Sequence, residues 1–114
     1  MGPFFGAWQG AAVAQAPRAM NVFWSPEAKA DLGSAHSYIS ANDPAAAERI
    51  VLHIVRNVVQ LRSDNPSMGR TGRVPGTREL VVPRTSYIVP YRVRANTIEV
   101  LRVFHGARRW PDQF

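Results

Sequence analysis

The chain contains no cysteine. That excludes disulfides, thiol nucleophiles and every thiolate metal site. No apolar run approaches the roughly eighteen residues of a membrane-spanning helix. There is no glycine-rich phosphate loop and no His-Glu-x-x-His, which removes the common nucleotide-binding and zinc-hydrolase classes. His36 and His53 each fall on a helical stretch with no ligand partner at metal-binding spacing, so they read as solvated or core side chains. No metal and no cofactor is expected. Lysine is nearly absent as well, with Lys29 the single one.

What is present is arginine. Fourteen basic residues face eight acidic ones for a net charge of +6, and thirteen of the fourteen are arginines. Arginine suits sites where a planar fork meets a carboxylate or phosphate. A coding bias accounts for Arg in place of Lys but not for its distribution. From Pro66 to Phe114 there are nine arginines and three acids. That half reads as a basic surface, for nucleic acid or an acidic protein. The 114 residues, 46% hydrophobic and 19% charged, suit one globular domain.

Residues 1–19 are small and apolar, with no acid. Gly6, Gln9 and Gly10 interrupt them and no basic residue precedes them, so neither a secretory signal nor a myristoylation motif fits. They read either as a loosely ordered extension to a domain over 20–114 or as the product of an upstream start, the second with Met20 as the expected physiological first residue. Asn21–Trp24 is a short strand. Ser25-Pro26-Glu27 starts a helix: N-cap, Pro at the first position, an acid in the first turn. Ala28, Leu32, Ala35 and Ile39 make its apolar stripe to about Ala41. Asp43-Pro44 repeats the signal for a second helix to about Arg62, with Ala47, Ile50, Val51, Ile54, Val55, Val58 and Leu61 as a broad apolar face. The two form an antiparallel hairpin. Residues 63–77 are a loop. Strands are predicted over Arg78–Val82, Tyr87–Arg94 and Thr97–Phe104, with Pro90 marking an edge or a bulge and Ala95-Asn96 a tight turn.

The predicted fold is α+β and two-layered: β-α-α-β-β-β, a helical hairpin on one face of a mainly antiparallel sheet. Alternation along the last strand sends Ile98 and Val100 one way and Leu101 and Val103 the other. The sheet therefore reads as apolar on both faces, where one wet face should be polar. The second face calls for a cover, either the N-terminal extension or a partner chain.

Ser25-Pro26-Glu27-Ala28, Asn65-Pro66-Ser67-Met68-Gly69-Arg70, Gly76-Thr77-Arg78-Glu79-Leu80, Tyr91-Arg92-Val93 and His105-Gly106-Ala107-Arg108-Arg109-Trp110-Pro111 occur in this order. The ordered set, over about Met20 to Pro111, resembles the RelE/ParE superfamily of toxins from bacterial type II toxin–antitoxin (plasmid stabilisation) modules. The resemblance implies a cytoplasmic toxin and a cognate antitoxin whose C-terminal segment wraps it, covering the second sheet face. It implies one of two targets. ParE-like members poison DNA gyrase; RelE-like members cut messenger RNA on the ribosome.

Cleavage by the RNA 2′-hydroxyl needs a base, an acid and cations around the phosphate. His105 is the candidate acid or base, Arg78, Arg92, Arg102 and Arg108 the candidate cations, Tyr87 and Tyr91 the candidate hydroxyls. A histidine beside a glycine at a strand end has a structural reading too, fixing the following turn. The ribosome-dependent nucleases carry basic residues, usually lysines, on and after the second helix, and often a functional Tyr or His close to the C-terminus. Here that helix has only Arg49, Arg56 and Arg62, and the chain ends Asp112-Gln113-Phe114. These features and the His105–Pro111 stretch resemble the ParE branch, implying a gyrase inhibitor rather than an enzyme. For target or antitoxin binding the candidates are Arg70, Arg73, Arg78, Arg92, Arg102, Arg108, Arg109 and Trp110, with Trp110 able to stack on an arginine. Simple nucleic-acid binding is a third reading. Its weakness is that no helix carries a basic run suited to a groove.

Overall fold

Both helices start where their caps dictate. The Ser25 side chain accepts the Ala28 backbone N–H at 3.0 Å, and the Asp43 carboxylate accepts that of Ala46 at 3.1 Å. Each cap is followed by a proline in the first turn, whose missing N–H costs the helix nothing there. In the computed structural model, which describes residues 20–63, 65–106 and 109–114, these become α1 (Pro26–Ser40) and α2 (Pro44–Ser63). The extension 1–19 and Arg108 lie outside the described residues. Strands are β1 (Asn21–Trp24), β2 (Arg70–Thr71), β3 (Arg78–Val81), β4 (Tyr87–Arg94), β5 (Thr97–Val100) and β6 (Phe104–His105).

The sheet order is β1-β5-β4-β3-β2, with β6 also on β4; β1 runs parallel to β5 and every other pair is antiparallel. The helical hairpin covers one face. Ile54, Val58 and Leu61 of α2 and Ala28 of α1 pack there on Leu80, Val89, Tyr91, Ile98 and Val100. Burial of such side chains contributes roughly 1.5–3 kcal/mol each.

The predicted strand Thr97–Phe104 is in fact two strands. Opposite the break stands Pro90, so of the two alternatives its sequence left open, the bulge is the one found, in a central strand. The Pro90 carbonyl accepts the Leu101 N–H at 3.0 Å. A strand residue's N–H and C=O point the same way, so the N–H that proline lacks faces this same gap. Leu101–Val103 leave the ladder and α1 satisfies their polar groups. Ser25 donates its hydroxyl to the Leu101 carbonyl at 2.8 Å, and Asp31 accepts the Val103 N–H at 2.9 Å. The detour returns Val103 to the helix-side core.

That detour also corrects the expectation of a sheet apolar on both faces. With Leu101 and Val103 out of the strand, register puts Arg70, Glu79, Arg92, Arg94 and Glu99 on the open face. The apolar residues that register leaves there are Phe23 at one end, Pro90 between, and Val81, Ile88 and Phe104 at the other.

Candidate target-binding face

Neighbouring residues of a strand point to opposite faces, and Arg78 and Glu79 of β3 use this to fix the loop before them from both sides. On the helix side Arg78 donates to the carbonyls of Ser67 (3.2 Å) and Gly69 (2.9 Å). Beside it the fully buried Tyr91 donates its hydroxyl to the Pro66 carbonyl at 2.6 Å and accepts the Gly69 N–H at 3.0 Å. Burial pushes the Tyr91 hydroxyl above its ordinary pKa. The approach is so close that a Cβ on Gly69 would stand 2.5 Å from that hydroxyl.

On the open side Glu79, only 2% exposed, accepts from Arg70 Nε at 3.1 Å and from the backbone N–H and Nε of Arg73 at 2.8 and 3.1 Å. Burial pushes the Glu79 carboxyl up. The Arg73 backbone N–H and the two guanidiniums outweigh it and hold the pKa below its ordinary value. A second carboxylate does the same on β5: Glu99 takes Arg92 at 2.7 Å and Arg94 at 3.2 Å, and these hydrogen bonds, Arg92 foremost, hold it low.

Arg73 then reaches outward. Its guanidinium lies 3.8 Å from the ring centroid of Trp110, and Trp110 meets Phe104 edge-on at 5.0 Å. Over Phe104, at 4.7 Å, sits Arg102, whose Nε and Nη2 donate to Asp31 of α1 at 2.8 and 3.0 Å. Phe114 is tilted against Phe104 at 6.2 Å. A continuous row, Glu79–Arg73–Trp110–Phe104–Arg102–Asp31, thus seats the C-terminal segment on the open face. Trp110 stacks on Arg73, thirty-seven residues upstream in the fold's own loop, a pairing with no local sequence signal. Its indole N–H is buried and finds no acceptor among the described residues.

The candidate residues are therefore not one constellation. Arg70, Arg73, Arg102 and Trp110 belong to this row or its anchors, and Arg92 to the adjoining ion-pair cluster. Arg78 and Tyr91 work on the helix side. Arg109 is exposed beside Trp110. His105 is exposed on β6, its ring edge-on to Tyr87 at 5.7 Å, above a cleft of about 410 Å³ that also takes Asp31, Ser34 and Tyr38. Burial and the neighbouring Tyr38 raise the Tyr87 pKa. His36 meets Glu48 across the hairpin at 2.7 Å, and His53 donates to the Pro83 carbonyl at 2.8 Å. No cluster of three metal-ligating side chains exists among the described residues, and no described helix is long and apolar enough to cross a membrane. Between the ion-pair cluster and the C-terminal segment opens a cleft of about 610 Å³, lined by Phe23, Arg92, Arg94, Leu101 and Phe114 among others.

A helical hairpin on a mixed sheet, with an arginine- and aromatic-rich open face, defines a RelE/ParE-like α+β protein. Residues 22–110 match the family model described as the ParE toxin of the type II toxin–antitoxin system parDE. The chain belongs to this family and is the toxin of a type II toxin–antitoxin pair. It is 39% identical over 89 residues to "Putative toxin Y4kP" of Sinorhizobium fredii, covering 78% of this chain and 91% of that one. It is 30% identical over 87 residues to Toxin RelE2 of Caulobacter vibrioides, covering 76% and 96%. A solved chain of the chromosomal ParDE system of P. aeruginosa superposes with a TM-score of 0.72 at 31% identity, covering 77% of this chain and 97% of that one.

Proposed function

We propose that this toxin arrests growth in the cytoplasm by poisoning DNA gyrase, and that a cognate antitoxin neutralises it by covering the open sheet face. One observation carries the choice of target. The groups a ribonuclease would need are committed to the fold: Tyr91 is buried with both hydrogen-bonding directions used, Arg78 holds backbone carbonyls, and Arg92 and Arg102 are ion-paired. They do not converge on His105. A protein poison needs no such convergence; it needs a shaped surface, and the Arg73–Trp110–Phe104 row with Arg70 and Arg109 at its margin supplies one. The family description points the same way. The large cleft beside this row, with Phe23, Leu101 and Phe114 for apolar side chains and the Arg92–Glu99–Arg94 cluster and Glu27 at its polar edge, suits an amphipathic segment of the antitoxin.

A second reading, ribosome-dependent cleavage of messenger RNA, keeps one observation in its favour. His105, Tyr87, Tyr38 and Asp31 surround one cleft, and one relative is named for RelE. Purified toxin assayed in parallel for gyrase supercoiling and for cutting of ribosome-bound message decides between them. Inhibited supercoiling with intact message is expected.

A further inference from the structure

Most of the described arginines from Pro66 onward are paired within the chain. Arg70, Arg73, Arg92, Arg94 and Arg102 each pair with a carboxylate, and Arg78 with backbone carbonyls. Arg49, Arg56 and Arg84 make no ion pair with any described residue, and they line one cleft of about 250 Å³. Arg49 and Arg56 stand two turns apart on α2, about 10 Å along its axis. His53 lies between them, its ring fixed by donating to the Pro83 carbonyl at 2.8 Å. Arg84 faces them from the β3–β4 turn. Its backbone is left-handed (φ 62°), a conformation an arginine adopts only at a cost, in a turn closed by Thr85 hydroxyl and N–H bonds to the Val82 carbonyl at 3.0 and 3.3 Å. Three exposed guanidiniums thus converge from two rigid elements, with no acid among the described residues paired to them.

We propose that this cleft is a phosphate-backbone site and that its ligand is duplex DNA. The chemistry points to phosphodiester, because arginine forks match phosphate oxygens in pairs. The span exceeds one phosphate group and suits successive phosphates of a strand. The lining, completed by Ile50 and Thr85, holds no Phe, Tyr or Trp, and the one imidazole, His53, is tied to the Pro83 carbonyl, which disfavours single strands that bind by base stacking. Guanidinium contacts to phosphate carry no sequence information, so the binding proposed is independent of sequence. The site lies apart from the row that seats Trp110. It is not the groove-reading helix that the sequence lacks, but a clamp between α2 and a turn.

The test is fluorescence anisotropy of a labelled mixed-sequence duplex of about 20 base pairs against purified toxin, titrated at salt from about 50 to 200 mM. Wild type is compared with Arg49→Gln/Arg56→Gln/Arg84→Gln and with a charge-matched control, Lys29→Gln/Arg94→Gln/Arg109→Gln, circular dichroism confirming that all three are folded. The cleft variant should lose at least about tenfold in affinity at low salt, and its log K against log salt slope should be shallower by about 2–3. The control should keep most of both. Equal losses in the two variants would overturn the proposal by showing that net charge alone binds. Wild-type binding to a labelled polyglutamate peptide but not to the duplex would also overturn it, assigning the cleft to an acidic protein. Competition by inorganic phosphate as effective, per phosphate, as unlabelled duplex would reduce the site to a phosphate-ion site and overturn it too. No gyrase is present, so the result stands whether or not gyrase is the target.

Discussion

Glu79 shows how one residue organises a loop. Its carboxylate, 2% exposed, holds Arg70 and Arg73 and so fixes the base from which Arg73 reaches Trp110. Removing a buried charge from such a pair leaves donors unmet, so Glu79→Gln should destabilise by roughly 2–3 kcal/mol, moderated by the exposure of both guanidiniums. Its pKa is held below the ordinary 4.5. The stability it contributes is therefore complete above about that value and is lost as pH falls through the lower native one. Denaturant melts should show this acid-side loss in wild type and a flatter profile in Glu79→Gln. Ala95 gives the opposite case. It and Asn96 form the β4–β5 turn with φ of 49° and 60°, a type I′ geometry that an alanine adopts against its preference. Ala95→Gly should stabilise by about 0.5–1 kcal/mol, raising the melting temperature by a few degrees.

At the scale of elements, local signals were read well and distant ones were invisible. Both helices were legible because Ser25-Pro26 and Asp43-Pro44 state their starts and the apolar spacing states their faces. The parting of β5 and β6 has only a faint local signal, the change of phase in the apolar alternation between Val100 and Leu101, which reads equally as a strand apolar on both faces. What breaks it is Pro90, which offers no N–H, and Asp31, about seventy residues away, which takes the Arg102 guanidinium and the Val103 N–H. The two-residue strand β2 was missed for a similar reason: its partner Glu79, not its own propensity, fixes Arg70 there. The candidate arginines were named for binding a target or an antitoxin, and sequence could not show that Arg70, Arg73, Arg78, Arg92 and Arg102 have partners inside the chain. The C-terminal segment tests this picture. Trp110→Ala removes the stack on Arg73 and the edge contact with Phe104, so it should cost about 2–4 kcal/mol of stability. Trp110→Phe should cost less, because it also removes the unpaired buried N–H. Paired thermal melts of the two variants check the order.

For the whole molecule, charge and shape set the division of labour. The hairpin and the helix side of the sheet form the core. The open face carries neutralised arginines and aromatic rings that suit protein contact, and Arg49, Arg56 and Arg84, without an ion pair among the described residues, gather between α2 and the β3–β4 turn. On the proposed reading the toxin acts by binding its target rather than by acid–base chemistry, so His105 should be dispensable for the action, though not for the turn it precedes.

The central claim is tested most directly by gyrase supercoiling with purified toxin, wild type against His105→Gln. Both should inhibit relaxed-to-supercoiled conversion to within a fewfold of each other, while ribosome-bound message stays intact. Untouched supercoiling, with message cut by the wild type and cleavage slowed by about 10²–10⁴-fold in His105→Gln, would contradict the account and establish a ribonuclease.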